Sequence, residues 1–563
     1  MFKNDRATLT WRAGALLLTA GLASVALTGT SQAAGSSHTH HDAALVCRGL
    51  TADATFARER VTLGGAHACE HLTDRSAAEG SVVRMVGEVV HARIAMATAA
   101  AQPTTRPASS VGRWSAARNP GTTTIGITSV VMHNGKVLMF GQYTAGGTTA
   151  YVYDPVTRTG REFPAPAPIF CSSVTPLADG RILIVGGADP IPRGIEDIWL
   201  FDPGTEQWSQ QPDSPLGRYY PTSTRLPDGR VIITAGHEVD GATHNPTVEV
   251  YSPPANRLAA SGTMEVVGGP HVTDYYPHQL VMRNGKMLQV DGGLSYMLNP
   301  ATWRWTQLGD LPLPADGAGG AAHLFLPGGP RGATEVMMIG GLRGGKGTTA
   351  RQSVQRFDHA HPGEGWRLGP ALPNPRAHMN VVQVPDGSAY GIGGNSLGRR
   401  EVPRRATLHF NPETNRWRIL AAQAPQRTYH STAVLLPDGR IMSAGDNGVA
   451  GGRQLIDFYS PPYLFRGRRP VIDRAPRRLA YGQQFRIRIS RSAGTEAVLM
   501  APAATTHANE MNARHVPLTV RPTANGLLAT APRTANVAPP GYYMLFTLNA
   551  KGVPSVARWV RVG

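Results

Sequence analysis

Three short stretches place a thiol, phenols and an imidazole directly before apolar runs that read as strands. They are Cys171 in FCSSVTPLADGR, Tyr219 and Tyr220 in GRYYPTSTRLPDGR, and Tyr429 with His430 in RTYHSTAVLLPDGR. Imidazole nitrogens suit copper, and Cu(II) prefers a tetragonal nitrogen and oxygen environment. A metal that lowers a phenol's pKa from about 10 makes tyrosinate an available ligand. Copper and oxygen can oxidise a thiol beside an electron-rich phenol to a thioether. The set therefore suits one-electron chemistry. It fits zinc hydrolysis poorly, because zinc sites rarely use two phenolates and the chain contains no HExxH.

Cysteine usage bears on the same point. The chain has three cysteines, Cys47, Cys69 and Cys171. In an oxidising compartment Cys47 and Cys69 can pair across a short loop, which leaves Cys171 as an odd thiol. It is either buried and inert or chemically modified.

The elements that must position these residues show themselves as an internal repeat. NGKVLMFG from Asn134, ADGRILIVGG from Ala178 and PDGRVIITAG from Pro227 share one form, an Asn-Gly or Asp-Gly turn feeding an apolar strand that ends in Gly. RNGKMLQVDGG, TEVMMIGG, PDGSAYGIGG and PDGRIMSAG continue it. The spacing is about 45 to 56 residues, near the kelch period of roughly 50. A second mark follows each unit, at Tyr153, Phe201, Tyr251, Leu298, Phe357, Phe410 and Tyr459, often with a Trp a few residues later. Two marks repeating in phase predict an all-β protein with a seven-bladed kelch-type β-propeller over 113–465. In such a fold the inner-strand starts converge on one end of a central channel, so distant residues meet. The tail, 466–563, alternates short apolar strands with Gly and Pro turns, which predicts an immunoglobulin-like β-sandwich.

At the three strand-leading stretches the chain resembles the galactose oxidase and glyoxal oxidase family of copper-radical oxidases, closer to the glyoxal oxidase-like branch. TTHANEMNARHVPLTV and PPGYYMLFTLNAKGVPSVARWVRV resemble that family's C-terminal domain. The resemblance runs from about Gly112 to the C-terminus. It implies one copper ion and a protein-derived Cys171–Tyr220 thioether radical. Tyr220, Tyr429, His430 and His507 would be the metal ligands, with His507 arriving on a C-terminal hairpin. Cys171, Tyr220 and Tyr429 would be catalytic, Tyr429 as the base. A small aldehyde or primary alcohol would be oxidised while O2 is reduced to H2O2. Tyr219, Tyr276, His278 and His378 are expected to be packing or hydrogen-bonded structure.

Some family features are missing. Where galactose oxidase stacks a Trp on the cross-linked Tyr, the register of VIITAGHEVDG puts Glu238, preceded by His237. LPADGAGGAAHLF lacks the sugar-gripping Arg, and GGLRGGKGTTARQ lacks the following aromatic, which turns the expectation away from galactose.

The N-terminus reads as export. Lys3, Arg6 and Arg12 precede the apolar run AGALLLTAGLASVAL, and TSQAAGSS offers small residues for cleavage. Residues 1–33 are thus expected to be a signal peptide and the mature protein to be secreted, monomeric and without a membrane span. Residues 34–112 form an N-terminal segment with the Cys47–Cys69 pair, the cluster HTHHD and an Ala/Thr/Pro-rich linker. A formal charge of +17 comes mostly from singly scattered Arg. That argues against nucleic acid and would suit anionic cell-wall polymers. Two other classes compete with the oxidase. One is a kelch-propeller carbohydrate-binding or adhesion protein, which predicts no copper uptake. The other is a hydrolase, which needs paired carboxylates that the strand starts do not supply.

Overall fold

The computed structural model describes residues 106–563 apart from 142–146, 255–260, 314–320, 327–333, 344–348, 399–400 and 447–453. The leader, the HTHHD cluster and the Cys47–Cys69 pair lie outside the described residues. The described chain is built almost wholly from antiparallel strands. Seven sheets with at least four strands each follow one another from residue 113 to residue 460. Their first strands are Thr128–Val131, Ser173–Pro176, Thr222–Arg225, His278–Val281, Ala321–Leu326, Asn380–Gln383 and Ser431–Leu435. The first strands of the third and fourth sheets neighbour each other, and that of the first sheet neighbours that of the seventh.

The repeated turn has one local cause. Asn134, Asp179, Asp228, Asn284, Asp386 and Asp438 each accept, through the side-chain oxygen, the backbone N–H two residues on. The glycine between takes a positive φ, between 80° and 91° at all six positions. A side chain there would be strained, so Asx-Gly is what the turn requires. The second mark is a cross-strand pair. Phe201 faces Trp208, Leu298 faces Trp305, Phe357 faces Trp366 and Phe410 faces Trp417. Aromatic pairs of this kind add to sheet stability beyond simple burial.

The seventh sheet is completed from the other end of the chain. Its first three strands, Ser431–Leu435, Ile441–Gly445 and Asp457–Ser460, are joined by Arg113–Trp114. Trp114 lies opposite Tyr459, with ring centroids 5.1 Å apart, and so fills the Trp position of the repeat. The first sheet, in contrast, exceeds the expected four strands. A hairpin from the tail, Ala504–Thr506 and Asn509–Glu510, pairs onto Thr128–Val131. The rest of the tail forms one four-stranded and one five-stranded sheet around Phe485, Ile487, Leu499, Tyr543, Leu545 and Val560.

Candidate metal centre

In five of the seven sheets the residue that leads the first strand sits on a sharp corner. Cys171 (φ 59°), Tyr220 (67°), Tyr276 (45°), His378 (54°) and His430 (70°) are all left-handed. None is glycine, so each corner costs about 1–2 kcal/mol. The corners are tied together through their backbones. Tyr220 N–H donates to the Cys171 carbonyl (3.2 Å), and Tyr276 N–H donates to the Tyr220 carbonyl (3.0 Å). This is how residues 49 and 56 positions apart in the chain become neighbours.

Fully buried arginines brace three of these corners from behind. Arg218 donates to the Ala235 carbonyl and pairs with Glu249 at 2.6 Å, both side chains being wholly buried. Arg427 donates to the Gly445 carbonyl and pairs with Asp457 at 3.0 Å. Arg376 reaches the carbonyls of Gly393 and Ala406 and the side chain of Asn374. A planar fork with five donors satisfies several carbonyls at once, which a lysine would not do.

His507 comes from the tail hairpin. His507 (φ 50°) and Ala508 (φ 62°) are its two turn residues, the backbone pattern of a two-residue hairpin that usually takes Asn-Gly. The Thr506 hydroxyl donates to the Ile127 carbonyl (3.2 Å), so its oxygen accepts from His507 Nδ1–H (2.7 Å). In that tautomer Nε2 keeps its lone pair and faces Cys171 Sγ at 3.5 Å.

The five predicted residues converge. The Sγ of Cys171 and one ring nitrogen each of His430 and His507 lie within 4.8 Å of one another, all three residues being buried. The phenol oxygens of Tyr220 and Tyr429 are 2.5 Å apart. Ring centroids of His507 stand 5.0 Å from Tyr220, 5.2 Å from Tyr429 and 4.5 Å from His430. Burial pushes the Tyr220 hydroxyl well above the ordinary phenol range, and the adjoining Cys171, Tyr429 and Tyr219 push it the same way. A phenol in such a place ionises only beside a positive charge. Two imidazoles, two phenols and a thiol around one small volume form a donor set that fits copper.

The structure also assigns the residues expected to be packing. His378 hydrogen-bonds Asn395 (2.9 Å) and His278 contacts Asn509 (3.3 Å). Tyr219 and Tyr276 are buried but are not remote from the site. They lie 4.2 Å and 4.8 Å from the Tyr220 ring. Sequence reasoning passed over Tyr275, whose ring meets Tyr220 at 5.0 Å and 64°. His237, next to Glu238, packs against Tyr275 at 4.4 Å. Its Nδ1 lies 3.1 Å from the Tyr275 hydroxyl and 3.2 Å from the Gly241 carbonyl. The aromatic doublets Tyr219–Tyr220 and Tyr275–Tyr276, both at strand starts, were the available signal.

Comparison with known proteins agrees with this geometry. The family model described as Glyoxal oxidase N-terminus matches residues 144–454, and the one described as Galactose oxidase-like, Early set domain matches residues 469–562. An aldehyde oxidase of Vitis pseudoreticulata is 31% identical over 442 residues, 70% of this chain and 82% of that protein. A galactose oxidase of Gibberella zeae is 27% identical over 478 residues, 76% of this chain and 67% of that protein. In fold the chain is similar to a fungal alcohol oxidase solved in complex with copper, at a TM-score of 0.69 and 22% identity, covering 80% of this chain and 99% of that one. The chain belongs to the glyoxal oxidase family and ends in a galactose oxidase-like early set domain.

Proposed function

We propose that the protein is a secreted copper-radical oxidase that oxidises a small aldehyde or primary alcohol and reduces O2 to H2O2. The observation that carries this reading is the convergence of Cys171, Tyr220, Tyr429, His430 and His507 from four separate stretches of chain onto one buried volume. The seven sheets are read as the blades of a seven-bladed propeller over 113–465, with 466–563 as a sandwich that contributes the His507 hairpin.

Tyr220, Tyr429, His430 and His507 would hold one copper ion, which when bound supplies one-electron redox chemistry and a Lewis-acidic position for the substrate oxygen. The chain's own residues divide the remaining work. Cys171 Sγ and the Tyr220 ring form a thioether with loss of the thiol hydrogen and one ring hydrogen, both electrons passing to O2. The modified Tyr220 is the phenol that bears the radical and takes the carbon-bound hydrogen of the substrate. Tyr429 takes the substrate hydroxyl proton, its oxygen being the nearest base to Tyr220 in the cluster. Thr506 fixes the His507 tautomer. Tyr219, Tyr275 and Tyr276 enclose the Tyr220 ring and keep water from it.

Substrate preference is assigned to glyoxal-like aldehydes over galactose. The aldehyde oxidase relative is the more similar of the two enzymes compared, and the chain lacks the sugar-gripping Arg. The test is peroxide release from copper-loaded protein offered small aldehydes, primary alcohols and galactose in parallel. Turnover with aldehydes or simple alcohols bears the proposal out. Copper uptake without peroxide from any of them would favour a binding protein on the same scaffold.

A further inference from the structure

The strand that begins after Tyr220 ends, at its other extremity, in a second polar chamber. There the C-terminal unit closes over a cavity of about 20 Å³ lined by Arg225, Gln279, Glu510, Asn512, Arg514 and Tyr543, among others. That is room for a particle of water or halide size.

The lining is unbalanced in charge. Arg225 is 5% exposed. Its Nη1 donates to the Pro176 carbonyl (2.6 Å) and its Nη2 to Asn512 Oδ1 (3.4 Å). Its Nε is buried with no hydrogen-bond partner; the Tyr543 and Tyr481 phenols are the groups that favour its charge, and no carboxylate of the described residues acts on it. Arg514 stands in the same lining and donates to the Val281 carbonyl (2.9 Å). Burial pushes Arg514 down to about 10; Tyr543 opposes the shift, and the positive charges of Arg225 and Arg283 add to it. The one acid present, Glu510, is turned to its own hairpin. Its Oε1 accepts from the backbone N–H groups of Ala504 (2.8 Å) and Asn512 (3.0 Å), and its Oε2 from the Thr505 hydroxyl (2.7 Å). Gly541 presses on the other side of Arg225, where a Cβ would come within 2.5 Å of Nη1, so the guanidinium has little freedom to leave. A buried cation of this kind is normally matched by an anion.

We infer that this cavity binds a small monovalent anion of halide size, held by Arg225 and Arg514. The ion fastens the base of the hairpin that carries His507 to the third and fourth sheets. The inference does not depend on the copper reading, since neither arginine is one of the proposed copper ligands.

Crystals of the unmodified protein soaked in sodium bromide test it directly. An anomalous difference peak at the bromine edge beside Arg225 Nε is expected. A water with no anomalous signal there overturns the inference. In solution, replacing gluconate by chloride at constant ionic strength should raise the melting temperature of the unmodified protein saturably, by about 2–4 °C. Arg225→Met should abolish that dependence. An equal chloride response in both proteins would mark a general salt effect and equally overturn it. If Arg225→Met fails to fold, the bromide peak alone decides.

Discussion

The corner at Tyr220 and the corner at His378 have the same backbone and opposite fates. Both are left-handed, at φ 67° and 54°, both lead a first strand, and both stand two residues after a fully buried arginine. Yet Tyr220 points its oxygen to within 2.5 Å of Tyr429, while His378 is hydrogen-bonded to Asn395 of the adjoining two-stranded hairpin and meets Tyr429 only ring to ring, at 5.0 Å. The strained corner is therefore a property of the repeat. Whether a corner becomes part of the metal centre depends on which side chain stands there and what lies within its reach. The arginine supports differ too. Arg218 is neutralised by Glu249, whereas Arg376 is satisfied by two carbonyls and an asparagine.

Substitutions can sharpen this contrast. Cys171→Ser and Tyr220→Phe should reduce peroxide release by about a thousandfold or more, the scale lost when a group central to proton or hydrogen transfer goes. His378→Gln, at an equivalent corner, should keep one copper per chain and lose no more than about tenfold. Equal losses at the two corners would mean that backbone position, and not residue identity, makes the site.

At the supports, Arg218→Met strands Glu249 in the interior and should cost about 3–5 kcal/mol in denaturant unfolding. Arg376→Met leaves no buried charge behind and should cost about 1–3 kcal/mol. The reverse order would refute the view that the Glu249 pair distinguishes the two corners. A smaller effect is expected from Tyr275→Leu, which exposes one face of the Tyr220 ring. The oxidised enzyme should bleach several-fold faster, followed by its visible absorbance, with the copper content unchanged.

The buried histidines away from the site give the gentlest test. Burial pushes His271 and His515 down to about 4 and His409 to about 3, with Arg418 adding to the effect at His409. In the unfolded chain each would titrate near 6.5. The unfolded state thus binds more protons between those values, so stability is full above about pH 6.5 and falls as pH drops toward 4. The loss should approach about 1.4 kcal/mol per pH unit for each histidine. A melting temperature flat from pH 7 to 5 would contradict their burial as neutral groups.

Much of this was legible in the sequence because the repeat is written in residues with one physical use. Asp-Gly and Asn-Gly mark turns that need both a side-chain acceptor and a positive φ, and the aromatic and Trp marks are facing cross-strand partners. Cys171, Tyr220 and His430 could be found because each occupies the same place in its repeat, with Tyr429 immediately before His430. What escaped was produced by contacts between distant segments. Trp114 completes the seventh sheet from the N-terminal side, which no local pattern announces. The tail hairpin joins the first sheet, and only its resemblance to the family placed His507. Register along VIITAGHEVDG puts Glu238 where the family stacks a Trp and names no ring for Tyr220; the ring that meets it is Tyr275, from the corner of the next sheet.

The central claim is that Cys171 and Tyr220 become one covalent cofactor. Peptide mass spectrometry of protein purified without metal, then exposed to Cu(II) in air, tests it most directly. The account predicts that the Cys171 and Tyr220 peptides become linked, with the loss of two hydrogens and resistance to reductant. Separate peptides with an alkylatable Cys171 after copper treatment would contradict it.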